Sequence, residues 1–153
     1  MTRINTIPVE LLTDSHAMAE YRELPMVNAS LARTLRSKRG LRFDVIPPQY
    51  TLNRGHVTFH YNKGKYLFER FNQLIEELNK RNYNINPSNR VIDWNVFHQI
   101  DGLWNGWIPT HEDHMINVAR IVERIEAKPL IYRYYGSKIE ADFIQQNYSN
   151  YQQ

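Results

Sequence analysis

The chain of 153 residues contains no cysteine, which excludes disulfides, thiolate-bound zinc and cysteine nucleophiles. No apolar run approaches the ~20 residues that a bilayer-spanning helix needs, and the polar start is not a secretory signal. These absences lead to the expectation of a soluble, intracellular protein with no membrane partner. A glycine-rich phosphate loop, a GxSxG elbow and zinc-finger or deaminase patterns are also missing. What is present is an ordinary globular composition, 42% hydrophobic and 23% charged, in a length that suits one domain. A net charge of +3 permits a polyanionic partner without requiring one.

Hydrophobic periodicity predicts an all-α, compact single domain of about three main helices joined by long irregular connections. Thr13 or Asp14 caps a first helix over 14–37, with Met18, Tyr21, Leu24, Leu31 and Leu35 along one side. Pro25 inside it predicts a bend near Tyr21 to Pro25. The run Gly55 to Tyr61 reads as helix or irregular structure, because no second alternating run exists to pair with it. A second helix over 63–81 carries Leu67, Phe71, Leu74, Ile75 and Leu78 opposite Glu69, Arg70, Glu76 and Lys80. Residues 82–109 are irregular, with Trp94, Trp104 and Trp107 as packing anchors. Thr110 caps a third helix to 127, with Met115, Val118, Ala119, Val122 and Ile125 inward, and Pro129 stops it. The Gln/Asn-rich stretch 137–153 reads as a polar, fraying tail.

Chemistry-bearing residues fall into a few groups. A small second residue permits removal of Met1, which would expose the Thr2 α-amine, a group with an ordinary pKa of about 7.7 to 8.0 and so partly unprotonated near neutrality. His16, Glu20 and Glu23 recur at i, i+4 and i+7 beside Arg22. That face is either simply solvated or, if the N-terminus folds back against it, a place where Glu23 holds the amine and shuttles protons. Arg120, Arg124 and Lys128 line one side of the third helix, either as a row of phosphate contacts or as a solvated face paired with Glu123 and Glu126. The tyrosines of Tyr132-Arg133-Tyr134-Tyr135 stack on bases or close the core. His56 with His60, and His111 with His114, have metal-ligand spacing but bring no clear third ligand, so no metal or other cofactor is expected.

Six segments occur in a telling order: Met1-Thr2-Arg3-Ile4-Asn5, the run His16 to Leu24, Gly55-His56-Val57-Thr58-Phe59, the Asn82-Tyr83-Asn84 turn, the Arg120 to Pro129 helix end, and Tyr132-Arg133-Tyr134-Tyr135-Gly136. Together they resemble the viral pyrimidine-dimer DNA glycosylases, the pyrimidine-dimer endonuclease V enzymes of phages and algal viruses, over nearly the whole chain to Gly136. The resemblance implies a catalytic domain over 1–136, its N-terminal segment threaded between helices, followed by the tail 137–153. It implies a monomeric, cofactor-free DNA N-glycosylase and abasic-site lyase. The substrate would be double-stranded DNA containing cyclobutane pyrimidine dimers or abasic sites, in the infected host cell if the protein is virus-encoded.

By the same resemblance, the amine of Thr2 attacks C1′ of the damaged nucleotide to give an imine, with β-elimination following, and Glu23 is the essential carboxylate. Arg3, His16, Arg22, Arg120 and Arg124 fall on DNA-contact and orienting positions. Tyr21 and Pro25 fall on the pocket for a base flipped out opposite the lesion. Met26 stands where the family often has arginine, which subtracts one phosphate-contacting charge. Two rivals follow from the residues alone: a non-catalytic helical DNA-binding module built on the basic third helix and the aromatic run, and a metal-dependent nuclease using His111 and His114.

Overall fold

The computed structural model describes residues 4–86 and 92–152. The elements in chain order are α1 (Asp14–Arg36), α2 (His56–Phe59), α3 (Gly64–Lys80), α4 (His111–Ala127), β1 (Arg133–Tyr134), β2 (Ser137–Lys138) and α5 (Phe143–Gln152). The fold is all-α, and the sheet among the described residues is a two-stranded antiparallel hairpin. Among the described residues, no helix is long and apolar enough to cross a membrane.

α1 starts where Thr13 accepts the His16 amide at 3.0 Å, with Asp14 in the first turn and Arg33 and Arg36 in the last, both placed to favour the helix dipole. It runs through Pro25 without interruption and buries Ala17, Tyr21, Leu24, Val27 and Leu31 against α3. α3 can pack closely because its first residue is glycine: a Cβ on Gly64 would lie 2.6 Å from the Phe97 ring. The three tryptophans are ring-packed and half-buried, Trp94 and Trp104 among Phe68, Phe71 and Phe97, and Trp107 against Tyr50, Phe59 and Tyr66. They serve as packing anchors.

Two faces differ from the sequence expectation, and polar side chains are the reason each time. Arg70, expected on the solvent face of α3, is 4% exposed, because Glu20 of α1 meets it inside the protein. On α4, Met115 and Ala119 face outward, while Asn117 and Ile121 are buried with Val118 and Ile125. The inward line is Asp113, Asn117 and Ile121 at i, i+4 and i+8. Asp113 closes a capping box with Thr110, and Asn117 binds the N-terminal segment. The stretch after Gly136 also holds more structure than a polar composition suggests. α5 buries Ile144 and Tyr148 and packs on α4 and on the 3-10 turn Val9–Leu11.

The centre of the molecule is an extended segment, Ile4 to Ile7, fully buried with no strand beside it. An unpaired backbone in such a place costs as much as several lost hydrogen bonds, so side chains must supply the partners. They come from four directions. The Ile4 amide donates to His56 Nε2 of α2 at 2.7 Å, and its carbonyl accepts from the Tyr50 hydroxyl at 2.8 Å. The Asn5 amide donates to Glu20 of α1 at 3.2 Å, and its carbonyl accepts from Tyr66 of α3 at 3.0 Å. Asn117 Oδ1 of α4 accepts from the Thr6 and Ile7 amides at 2.8 and 3.3 Å, and Arg70 donates to the Ile7 carbonyl at 2.6 Å. The N-terminal segment is therefore threaded between helices. Burial pushes the Tyr66 phenol up to about 12 and raises that of Tyr50 further, so both remain donors at any ordinary pH.

A second polar knot docks the C-terminal hairpin. The turn residues Tyr135 and Gly136 have φ of 50° and 81°, the left-handed geometry of a tight hairpin turn. The Asp14 carboxylate accepts both their amides, at 3.0 and 2.9 Å. Arg81 lies across the rings of Tyr134 and Tyr135 while pairing with Asp14 and Glu77.

Candidate active site

Asn5 has its side chain held at both ends. Its Nδ2 donates to Glu20 Oε1 at 2.7 Å, and its Oδ1 accepts from Asn117 Nδ2 at 2.7 Å. Glu20 in turn is gripped by Arg70, with Nε to Oε2 at 2.7 Å and Nη2 to Oε1 at 3.0 Å. Burial alone would weaken the charge on Arg70, but the Glu20 carboxylate more than offsets it and holds the guanidinium above its usual pKa.

This ion pair separates two cavities. On the Glu20 side is a small one of about 280 Å³, lined by Asn5, His16, Ala19, Glu20, Glu23, Arg124 and Tyr132. Tyr132 stacks flat on His16, with ring centroids 5.0 Å apart and planes at 11°, and His16 Nδ1 also meets the Thr13 hydroxyl. On the Arg70 side is a larger one of about 920 Å³ between α3, α5 and the segment Thr6 to Glu10, and glutamates 10, 69, 76 and 77 line it. Of the candidate site residues singled out in the sequence, the larger cavity holds His114, from the metal-nuclease alternative, and none of those that the family resemblance assigns. The smaller one gathers three of them: His16, Glu23 and Arg124.

The other assigned residues are distributed around it. Arg22 is exposed on α1 beside Glu23, and Arg120 lies one turn before Arg124, its Nη2 3.3 Å from Asn53 Oδ1. Pro25 is half-buried. Tyr21 points into the core, stacked on Phe71 with centroids 5.5 Å apart. Thr2 and Arg3 lie outside the described residues. Tyr132, read in the sequence as stacking on bases or closing the core, lines the cavity. The sequence reading gave no role to Asn5, which also lines it, or to Arg70 and Asn117, which hold Glu20 and Asn5. The signal for Arg70 was its place three residues after Leu67 and four before Leu74, inside the apolar stripe of α3.

The histidine pairs are occupied with structural work. Accepting the Ile4 amide forces the His56 proton onto Nδ1, which donates to the Thr51 carbonyl at 2.8 Å. His60 is buried, with Nδ1 on the His56 carbonyl, and burial together with neighbouring His56 keeps its pKa well below the usual histidine value. His114 Nδ1 meets the Thr6 hydroxyl at 2.8 Å. Among the described residues, no three of His, Asp and Glu gather in a way that could hold a metal ion. Lys63 has its amine 3.6 Å above the Phe59 ring, bonded to two carbonyl oxygens, and burial lowers its pKa to about 8.

A carboxylate, an imidazole and a guanidinium thus line one small cleft of a helical protein, with exposed cations on the flanking helices. The family is more specific. The model of the pyrimidine dimer DNA glycosylase family matches residues 1–91, and the chain belongs to that family. Its role is thus that of a DNA repair glycosylase, with DNA as substrate.

Proposed function

We propose that the protein excises cyclobutane pyrimidine dimers from duplex DNA by a glycosylase step and an abasic-site lyase step, both through the α-amine of Thr2 once Met1 has been removed. The amine attacks C1′ of the dimer's 5′ nucleotide and breaks the bond from C1′ to the base, which takes a proton. Opening of the sugar ring between C1′ and O4′, with a proton to O4′, then gives the imine. Loss of a 2′ proton then expels the 3′ phosphate by β-elimination. Glu23 is the carboxylate that stabilises the positive charge on sugar and imine and relays these protons. Arg22, Arg120, Arg124 and His16 meet the phosphates and orient the strand, joined by Arg3. The flipped base rests near Pro25, with Tyr21 supporting that stretch of α1 from the core side. The same reading covers substrates that are already abasic, and it places a monomer inside the cell, in the infected host if the gene is viral.

The observation that supports this reading is the cleft itself, in which Glu23, His16 and Arg124 meet Asn5. Asn5 is three residues from Thr2, and three residues of extended chain span about 10 Å. The test is borohydride trapping on a duplex carrying one defined dimer. Protein beginning at Thr2 should give a covalent adduct, and protein with a blocked or displaced amine should give none. Lys63 is the rival amine, so Lys63→Met should keep the adduct. An adduct lost with Lys63 and kept with a blocked Thr2 would overturn the assignment.

A further inference from the structure

Single exposed apolar residues are common on protein surfaces and mean little. Among the described residues, the adjacent pair Met115 and Ile116 is 36% and 41% exposed; Leu130 and Ile131, also adjacent and outside the hydrophobic core, are well beyond that at 79% and 57%. They occupy the short turn between α4 and β1, and this turn is rooted at both ends. On one side Pro129 follows the end of α4, where the Ile131 amide bonds the Lys128 carbonyl at 3.3 Å. On the other, Tyr132 stacks on His16, and the hairpin behind it is held by Asp14 and by the Tyr134 hydroxyl on the Glu10 carbonyl. Two apolar side chains are therefore displayed on a fixed support that adjoins the cleft through Tyr132.

The surrounding charge identifies what they meet. At about 100° per residue, Arg120, Arg124 and Lys128 stay within about 40° of one line along α4, whereas Glu126 falls on the far side of the helix and Glu123 about 100° away. Arg133 follows on the next strand. An apolar pair at the end of a cationic line does not suit a purely apolar partner. Anionic lipid surfaces recruit the same combination, and the DNA substrate of the family decides between lipid and DNA. The pair suits duplex DNA, whose phosphates flank a stack of apolar base faces.

We propose that Leu130 and Ile131 form an apolar wedge that enters the base stack beside the lesion, while Arg124 and Lys128 hold the adjoining phosphates. This rests on the function proposed above and adds to it the residues that do the unstacking. A wedge works most cheaply where stacking is already weak, so it favours damaged duplex over intact duplex and opens room for a nucleophile at the sugar.

The experiment uses a duplex with one tetrahydrofuran abasic analogue, which cannot form an imine, and 2-aminopurine in the neighbouring position. Wild-type protein should raise the 2-aminopurine fluorescence on binding. Leu130→Ala/Ile131→Ala should lose most of that rise and bind this duplex about tenfold more weakly, with little change on intact duplex. Ile108→Ala is the matched control, since Ile108 is 89% exposed and lies away from the cationic line. All three side chains are at the surface, so folding should be unaffected. If the double variant unstacks and binds as the wild type does, the wedge is wrong while the glycosylase reading stands on its borohydride adduct. If the wild type neither unstacks this duplex nor traps on a dimer, both are wrong.

Discussion

The two cavities on either side of the Glu20 and Arg70 pair differ in size by more than threefold, and the smaller is the candidate active site. Charge explains the choice. The large cavity is lined by four glutamates against Arg70 and Lys80, whereas the small one has Glu23 against Arg124, its other carboxylate, Glu20, being paired with Arg70. Arg22 is exposed nearby on α1, so a polyanion meets less repulsion there.

The sharpest way to break this comparison is to neutralise one carboxylate on each side. Glu23→Gln should slow single-turnover cleavage of a dimer duplex by about 10² to 10⁴-fold while leaving equilibrium binding nearly intact. Glu76→Gln, in the large cavity, should leave cleavage unchanged. Equal losses from the two variants would remove the distinction between the cavities.

The wall itself comes next. Arg70→Met strands a buried carboxylate, and urea unfolding should show a loss of about 3 to 5 kcal/mol. Adding Glu20→Met should recover much of it, because no charge then remains unpaired. A stable single variant would mean that the Glu20 charge finds another partner.

A smaller effect is expected from Arg124→Gln. The slope of log binding constant against log salt should fall by about one unit, the signature of one phosphate contact. An unchanged slope would place Arg124 at the cleft without contact to the backbone of the DNA.

The least conspicuous effect lies away from both cavities. His60 is kept neutral by burial, so its folded pKa lies below the unfolded value of about 6.5. The unfolded chain then binds more protons, and stability present above that pH is lost progressively as pH falls below it. His60→Phe should flatten the decline of Tm between pH 7 and 5. Parallel Tm curves for the two proteins would show that His60 is not the responsible group.

The three long helices were legible because their caps and apolar spacing are local properties: Thr13, Thr110 and the Leu67 to Leu78 stripe each act within a few residues. His16, Glu23 and Arg124 could be assigned through resemblance. Their convergence could not be read from spacing, since it depends on α1 and α4 meeting 100 residues apart. Arg70 and Asn117 were hidden for a related reason. A charged or amide side chain in a helix reads as solvent-facing unless its partner is known, and here the partners are Glu20 and the backbone of residues 6 and 7. α5 escaped notice because its inward residues Ile144 and Tyr148 are sparse among polar ones, and the faces they bury against belong to distant parts of the chain.

The buried Ile4 to Ile7 segment also bears on the order of assembly. Its partners lie between 15 and 112 residues later in the chain, the last of them on Asn117. These four residues keep their backbone groups hydrated until α4 is in place to receive them, and such distant closures are the slow ones. The cleft that Asn5 helps to line therefore closes late in folding, once α1, α3 and α4 are all in place.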